Sequence, residues 1–485
     1  MTHHDQDLKS FIASIAFPPS SRSLADKHGA NHFLKRLEML GISTVGELWG
    51  CLNPDLPKCK NPEDLAKRGL SKGYLAKTSG SNGKHQLERR IKQLARATDC
   101  PVSRIRRLSD EIKKLPPIYQ DSRPARAEWF LGQRRPMSVN QTASWQQVAV
   151  RDLHGYRKLP RSRQLVVLPE LRNRLGEVWD QGERGTCVAQ AAGGLIGYLA
   201  GGFTPSTQFL YHQCKMIDGL LAHEGTYLHI ALQVLSDRSL SGLDRSWNSA
   251  DLGVPDTRAW PYSSKFTTGN PAQTPPPKEC LSAIYSSVRA FNAESKNGSA
   301  RVLHCAEAKA HIVDDIRFLV DQMAVPVVAG FPLYESFNNP NSRRTGKVTL
   351  PLPGESLMGY HAMLIVGFDD LNGSFIVRNS WGASWAWNNA YVSGQTALAG
   401  HAIIPYAYFE KSGIEPVTAY SLHKADVGAF VVPEAVRLYR HPSRALLARN
   451  SIRTPQRSRR DSKPRAPMTK RASRETSFLK FLRVS

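Results

Sequence analysis

Apolar residues recur at helical spacing near the start of the chain. Phe33, Leu37 and Leu40 fall at i, i+4 and i+7, one face of a helix, and Gly41 follows as its C-cap. Residues 42–48 read as a short turn leading into a second helix. Leu87, Ile91 and Leu94 mark a further apolar face after the loop Gly80, Ser81, Asn82, Gly83. The pattern predicts a helical N-terminal domain over residues 1–115.

From about residue 159 the texture changes to alternating strands, helices and loops. Residues 364–368 and 375–377 are strand-like, and the polar run 369–373 between them is a hairpin-type loop. Pro326 opens another strand-like run, 327–331, a place where proline is tolerated. Between the two regions, residues 116–160 are rich in Pro, Arg and Gln. They read as a linker or extension, or as a segment lying across the next domain as an inhibitor. The division is therefore 1–115 helical, 116–160 linker, 161–415 the main α+β domain, and 416–485 a basic, disordered tail.

Composition narrows the class. The hydrophobic share of 41% in 485 residues is enough for a real core in most of the chain. The net charge is +24, of which +9 lies in the last 35 residues, favouring acidic partners such as nucleic acid or an acidic protein. Seven cysteines at irregular spacing make neither a disulfide framework nor a paired zinc site, so neither metal nor cofactor is expected. The polar start has no signal-like apolar run, and no stretch is long and apolar enough to span a membrane. A soluble cytoplasmic protein is the expectation, in which the sequons at Asn140, Asn297 and Asn372 carry no meaning.

Candidate chemistry centres on Cys187. It follows the glycine-containing loop 180–186 and precedes small, helix-compatible residues, so it would sit at the positive end of a helix dipole. A thiol attacks a carbonyl well only as thiolate. It needs a base, a group that orients the base, and donors for the oxyanion. The surrounding blocks resemble papain-type cysteine peptidases, in a bacterial-like variant. Asp180, Gln181, Gly182 and then Gly185, Thr186, Cys187 resemble the nucleophile loop, with Gln181 six positions before Cys187. Residues 359–368, around His361, resemble the histidine strand, and 375–382, around Asn379 and Trp381, the asparagine block. Residues 208–211, 224–227 and 260–262 resemble the helical subdomain, while 330–337 and 404–409 resemble the barrel side. The likeness covers about half the chain.

That resemblance implies a papain-like fold of two subdomains, one helical and one an antiparallel barrel-like sheet. It also implies roles: Cys187 as nucleophile, His361 as base, Asn379 as orienter and Gln181 as oxyanion donor. Trp381 would be a shield over the His–Asn contact. Gly225 would lie along the substrate backbone, or is a plain turn glycine. Peptide or protein is the implied substrate, and a bacterial source is expected. Departures exist. Arg184 stands where the family has a disulfide cysteine, Val188 where it often has an aromatic residue, and residues 392–400 look like an insertion. Cys187 and His361 are 174 positions apart, more than the family's usual spacing of about 130–150, which implies further insertions, with 264–277 a candidate. Residues 30–48 look like a helix-hairpin-helix unit, used for protein contact or for docking on nucleic-acid phosphates. Two other readings stand beside hydrolysis: a retained scaffold that binds nucleic acid or protein, and a thioester-based transpeptidase or ligase.

Overall fold

The computed structural model describes residues 5–14, 30–54, 83–115, 131–136, 147–201, 203–237, 253–265, 272, 276–277, 280, 287–290, 300–305, 309–389, 392–393 and 396–430. The N-terminal region is helical as its periodicity requires: α1 Leu8–Ser14, α2 Ala30–Glu38, α3 Val45–Leu52, α4 Gly83–Thr98 and α5 Val102–Lys113. Gly41, at φ +74°, turns the chain off α2, and Ile42 N–H donates back to Leu37 O at 2.9 Å. Thr44 then caps α3: its Oγ accepts Glu47 N–H at 3.2 Å, and Glu47 accepts Thr44 N–H at 2.9 Å. The turn between the two helices packs against Val348, Thr349 and Pro405, so this helix pair serves a contact within the chain.

The body carries β1 Gln147–Ala149, β2 Leu165–Val167, α6 Leu171–Leu175, α7 Cys187–Ala200, α8 Thr207–Asp218 and α9 Leu228–Ser236. β3 Val254–Pro255, β4 Ser287–Ala290, β5 Val302–His304, α10 Ile312–Asp321, β6 Val327–Tyr334 and α11 Pro340–Thr345 follow. Then come β7 Leu357–Asp369, β8 Ser374–Arg378, β9 Val392–Ser393, β10 Thr396–Ala397, β11 His401–Pro405, α12 Ala407–Glu410, β12 Thr418–Leu422 and β13 Val427–Phe430. The main sheet runs β1-β5-β12-β6-β7-β8-β11, with β2 paired to β7, and is antiparallel except for β1 beside β5. The smaller sheet is β13-β4-β3. The expected α+β class is thus observed. No described helix is long and apolar enough to cross a membrane.

Two boundaries differ from the sequence expectation. The 116–160 segment is no simple linker where it is described: β1 joins the sheet, and Arg317 grips the carbonyls of Leu159 and Pro160 at 3.0 and 2.8 Å. The domain also does not stop at 415. β12 lies between β5 and β6 in the main sheet, and β13 pairs with β4. Both strands are short and partly polar, so their period-2 signal was weak beside the basic residues that follow. The remainder of the predicted tail, from residue 431, lies outside the described residues, as does most of 264–277.

Residues 1–436 form one unit, and its apolar core runs without a break from Leu8 to Leu422. A buried charge cluster ties the helices to the sheet. Arg90 of α4 is fully buried, lies 2.5 Å from Glu355 and 3.6 Å from Glu335, and donates to Cys51 O at 2.8 and 2.6 Å. Arg89 adds a two-pronged pair to Glu335, both bonds 2.9 Å. Removing one member leaves charge stranded in the core. Arg90→Met is expected to lower unfolding free energy by roughly 3–5 kcal/mol. Exposed Arg106→Met, which loses a solvent-screened surface pair with Glu88, is expected to leave the unfolding midpoint nearly unchanged. Urea unfolding of the two variants checks the contrast.

Candidate functional site

α7 opens at Cys187, as the loop-to-helix junction predicted, and lies close against β7. Gly194 leaves no slack there: a Cβ would stand 3.0 Å from Leu364 of β7. This approach brings the Cys187 sulfur to the backbone of the strand that carries His361, where Ala362 N–H points at Sγ from 3.4 Å. His361 pairs across the sheet with Phe331 of β6. Asn379 follows β8, the next strand over. Its Oδ1 meets His361 Nε2 at 2.8 Å and also accepts Ser380 N–H at 2.8 Å. An oxygen that only accepts requires the proton on Nε2, so neutral His361 presents an unprotonated Nδ1. Nδ1 is buried and has no hydrogen-bond partner. Trp381 stacks on the imidazole, centroids 4.8 Å apart, and Phe337 and Trp385 box it in edge-on. The structure therefore brings together Cys187, His361, Asn379 and Trp381.

Gln181 joins them through a neighbour that sequence reasoning passed over. Ser380 Oγ donates to Gln181 Oε1 at 2.6 Å, which fixes the amide, and Nε2 donates to Arg184 O at 2.7 Å. The NH₂ end is thereby held toward the nucleophile loop. Backbone contacts from Gln181 N to Ser380 O and from Gly382 N to Trp179 O, 2.8 and 3.0 Å, knit the two loops.

Arg184, the departure noted in the sequence, has its own partner. Its Nε donates to Glu224 at 2.6 Å, with both side chains buried. Glu224 also accepts Gly185 N–H at 3.0 Å and Tyr211 O–H at 2.7 Å, and Tyr211 Oη accepts Gly225 N–H at 2.9 Å. An ion pair thus staples the nucleophile loop to the segment at Gly225, from the position where Arg184 departs from the expected pattern. The described cysteines form no disulfide with one another.

Gly225, at φ +85°, faces main chain: a Cβ would meet Gly132 O at 2.9 Å. Residues 131–136 run through this groove. Thr226 N–H donates to Gly132 O and Arg134 N–H to Thr226 O, both 2.9 Å, and Gln133 also bridges Tyr360. The Gly132 N–H points at the Cys187 sulfur. Glycine is required at 132, since a Cβ would stand 1.9 Å from Gly185 O. Nothing in the Pro- and Arg-rich composition singled out this stretch. A cavity of about 480 Å³ lined by Leu168, Arg378 and His401 is not lined by Cys187.

Burial sets the titration. It pushes the Cys187 thiol up to about 11, although N–H groups of Ala362, Gly132, Val188 and Cys187 itself pull the other way. It pushes His361 down to about 4, against the Asn379 hydrogen bond, and His401 down to about 3. Thiol and imidazole are both neutral at pH 7 in this closed arrangement.

Two outcomes follow. The unfolded chain binds protons at these histidines near pH 6.5, while the folded chain does so only near pH 4 or below. Stability is therefore full above about pH 6.5 and falls as pH drops toward 4, by on the order of 3 kcal/mol for His361 alone. Thermal melts between pH 7 and 4 check this, and His401→Gln is expected to flatten part of the slope. Glu224→Gln strands the buried Arg184 cation and is expected to cost roughly 3–5 kcal/mol, whereas the double replacement Arg184→Met with Glu224→Gln, which removes the cation and keeps an acceptor for Gly185 and Tyr211, recovers part of it. Denaturant midpoints of the three proteins decide the point.

No family model matches the chain. It is 25% identical over 257 residues to an uncharacterized peptidase C1-like protein of Acanthamoeba polyphaga mimivirus, covering 51% of this chain and 68% of that one. Among solved structures it is similar to xylellain, a cysteine protease from Xylella fastidiosa, at 22% identity and a TM-score of 0.41 over 60% of this chain and 95% of that one. It is also similar to procathepsin B S9 from Trypanosoma congolense, at 15% identity and a TM-score of 0.41 over 60% and 86% of the two chains. That curated relative is peptidase C1-like, and the ordered blocks around Cys187, His361 and Asn379 resemble those of papain-type cysteine peptidases.

Proposed function

We propose that the chain is a cysteine-type peptidase that hydrolyses peptide bonds through a thioester on Cys187. One observation carries the reading. His361 commits its Nε2 proton to Asn379 and keeps a partnerless Nδ1, in the strand whose next N–H points at the Cys187 sulfur. Nδ1 takes the thiol proton as sulfur attacks the substrate carbonyl carbon, forming a C–S bond and an oxyanion. Gln181 Nε2 and the Cys187 backbone N–H are the donors for that oxygen. The imidazolium gives its proton to the leaving nitrogen as the C–N bond breaks. Water then attacks the thioester, passing a proton through His361 back to sulfur and releasing the carboxylic product.

Asn379 holds the ring and its tautomer through both states, and the stacked Trp381 keeps water off that bond. Thr226 offers the main-chain groups along which a substrate backbone would lie, now bonded to Gly132 and Arg134, and Gly225 beside it adds a surface bare of side chain, its own N–H and C=O being held by Tyr211 and Lys215. The excess positive charge of 451–485 is the basis for an acidic partner as a separate proposal; those residues lie outside the described ones.

An epoxide that alkylates activated thiolates is expected to modify the reduced full-length protein at Cys187. Peptide mapping by mass spectrometry should find no adduct at that position in Cys187→Ala, and at least tenfold slower labelling in His361→Ala. Gln181→Ala should label normally yet hydrolyse peptides roughly 10²–10³-fold more slowly, because its role is confined to the oxyanion. Labelling that ignores His361, or that falls equally on the other cysteines, overturns the assignment.

A further inference from the structure

The cavity of about 480 Å³ that Cys187 does not line has a chemistry of its own. We propose that it is a binding site for hydrogen phosphate, with Arg378 holding an anionic oxygen and His401 accepting the hydrogen bond of the remaining O–H. The inference stands on the residues of this cavity and does not use the peptidase reading.

Arg378 and His401 are brought together by strand register. β11 lies antiparallel to β8, and His401 pairs directly with Arg378. Side chains so paired share a face, with Cβ atoms about 4.5–5.5 Å apart, a gap that one tetrahedral anion can bridge. Both line the cavity, and each is only 5% exposed. Arg378 donates to the carbonyls of Leu175 at 3.3 Å, Gly176 at 3.1 Å and Glu177. These bonds leave guanidinium N–H donors over. The ring of Trp179 lies beneath, 5.6 Å away at its centroid. Arg90, Arg184 and Arg317 each meet a buried carboxylate, but among the described residues no carboxylate pairs with Arg378. Burial draws it down to about 10, so it remains a cation at neutral pH. A buried cation with spare donors favours an anion.

His401 decides which anion. Its Nδ1 meets Ala399 O at 3.0 Å. A carbonyl oxygen only accepts, so Nδ1 carries the proton, and burial beside the Arg378 charge keeps the ring neutral. Nε2 is therefore an acceptor, and it is buried with no hydrogen-bond partner. An occupant must bring a donor to Nε2 and a negative oxygen to Arg378. Hydrogen phosphate carries both on one centre at neutral pH. Sulfate has the same shape but no proton, and would set lone pair against lone pair. Charges at the rim do not select. Glu170 is taken by Arg174 at 3.2 Å, and exposed Arg172 and Glu177 offset each other. Selection falls to the buried pair, in a cavity within the usual size of small-ligand sites, about 300–1,000 Å³.

The test is isothermal titration calorimetry of the full chain at neutral pH, with inorganic phosphate and then sulfate, chloride holding the ionic strength constant. Phosphate is expected to bind saturably with a Kd below about 1 mM, and sulfate at least tenfold more weakly. His401→Phe removes the acceptor and is expected to weaken phosphate at least tenfold, erasing its advantage over sulfate. Half-buried Ala383 lines the same cavity, and Ala383→Trp, which fills it, is expected to weaken phosphate at least tenfold as well. Thermal melts confirm that each variant is folded, and the two substitutions guard against one failing to fold. Absence of saturable phosphate binding, or binding unchanged in Ala383→Trp, overturns the site. Equal binding of phosphate and sulfate by the unaltered chain, or an advantage of phosphate kept in His401→Phe, overturns the assignment to hydrogen phosphate.

Discussion

A thiol held between a helix end and the backbone of a strand is a poor nucleophile unless something favours its charge. In this protein the N–H groups of Ala362, Gly132, Val188 and Cys187 aim at the sulfur, and His361 stands in the adjacent strand position. Burial nonetheless dominates, raising the thiol and lowering the imidazole until both are neutral at pH 7. The geometry of the site and its state of charge are thus separate matters. The first is fixed by α7 lying tight against β7. The second depends on whether solvent or a substrate reaches the groove now taken by residues 131–136.

Fixing that geometry falls to buried arginines. Arg184 ties the nucleophile loop to Glu224 beside the groove, Arg317 grips Asp370 at 2.8 and 2.6 Å together with the carbonyls leading into the body, and Arg90 joins the N-terminal helices to Glu355. Each guanidinium also donates to backbone oxygen, which offsets the desolvation that makes buried ion pairs costly. Directional bonds of this kind hold loops in one register, and a broken one leaves a charge with no water to solvate it. The excess positive charge of the chain therefore coexists with an interior in which these arginines are matched.

The N-terminal helices belong to this scheme. Their turn at Gly41 packs on 348–349 and their charges meet Glu335 and Glu355. The same polypeptide stretch, 335–355, supplies Phe337 and Asn338 against Trp381 and Trp385. The aromatic box around His361 and the helical region thus share one supporting segment.

Much of this was legible in residues that act through local pattern. Gly41 marked where a helix stops and the turn at 42–48 where the next begins, the small residues after Cys187 marked the helix it opens, and the runs around His361 and Asn379 marked strands. Such signals survive in sequence because backbone geometry and nearest neighbours impose them. Cys187, His361, Asn379 and Gln181 could be named as candidates for a related reason, since each sits in a block with its own constraints. What tertiary structure alone decided concerns partners far apart in the chain. Ser380 holding Gln181, Glu224 answering Arg184, β12 entering the middle of the sheet, and Gly132 and Arg134 bonding to Thr226 all depend on which surfaces meet after folding. No periodicity encodes such meetings, because hydrogen bonds and ion pairs between distant segments leave each segment's local pattern unchanged.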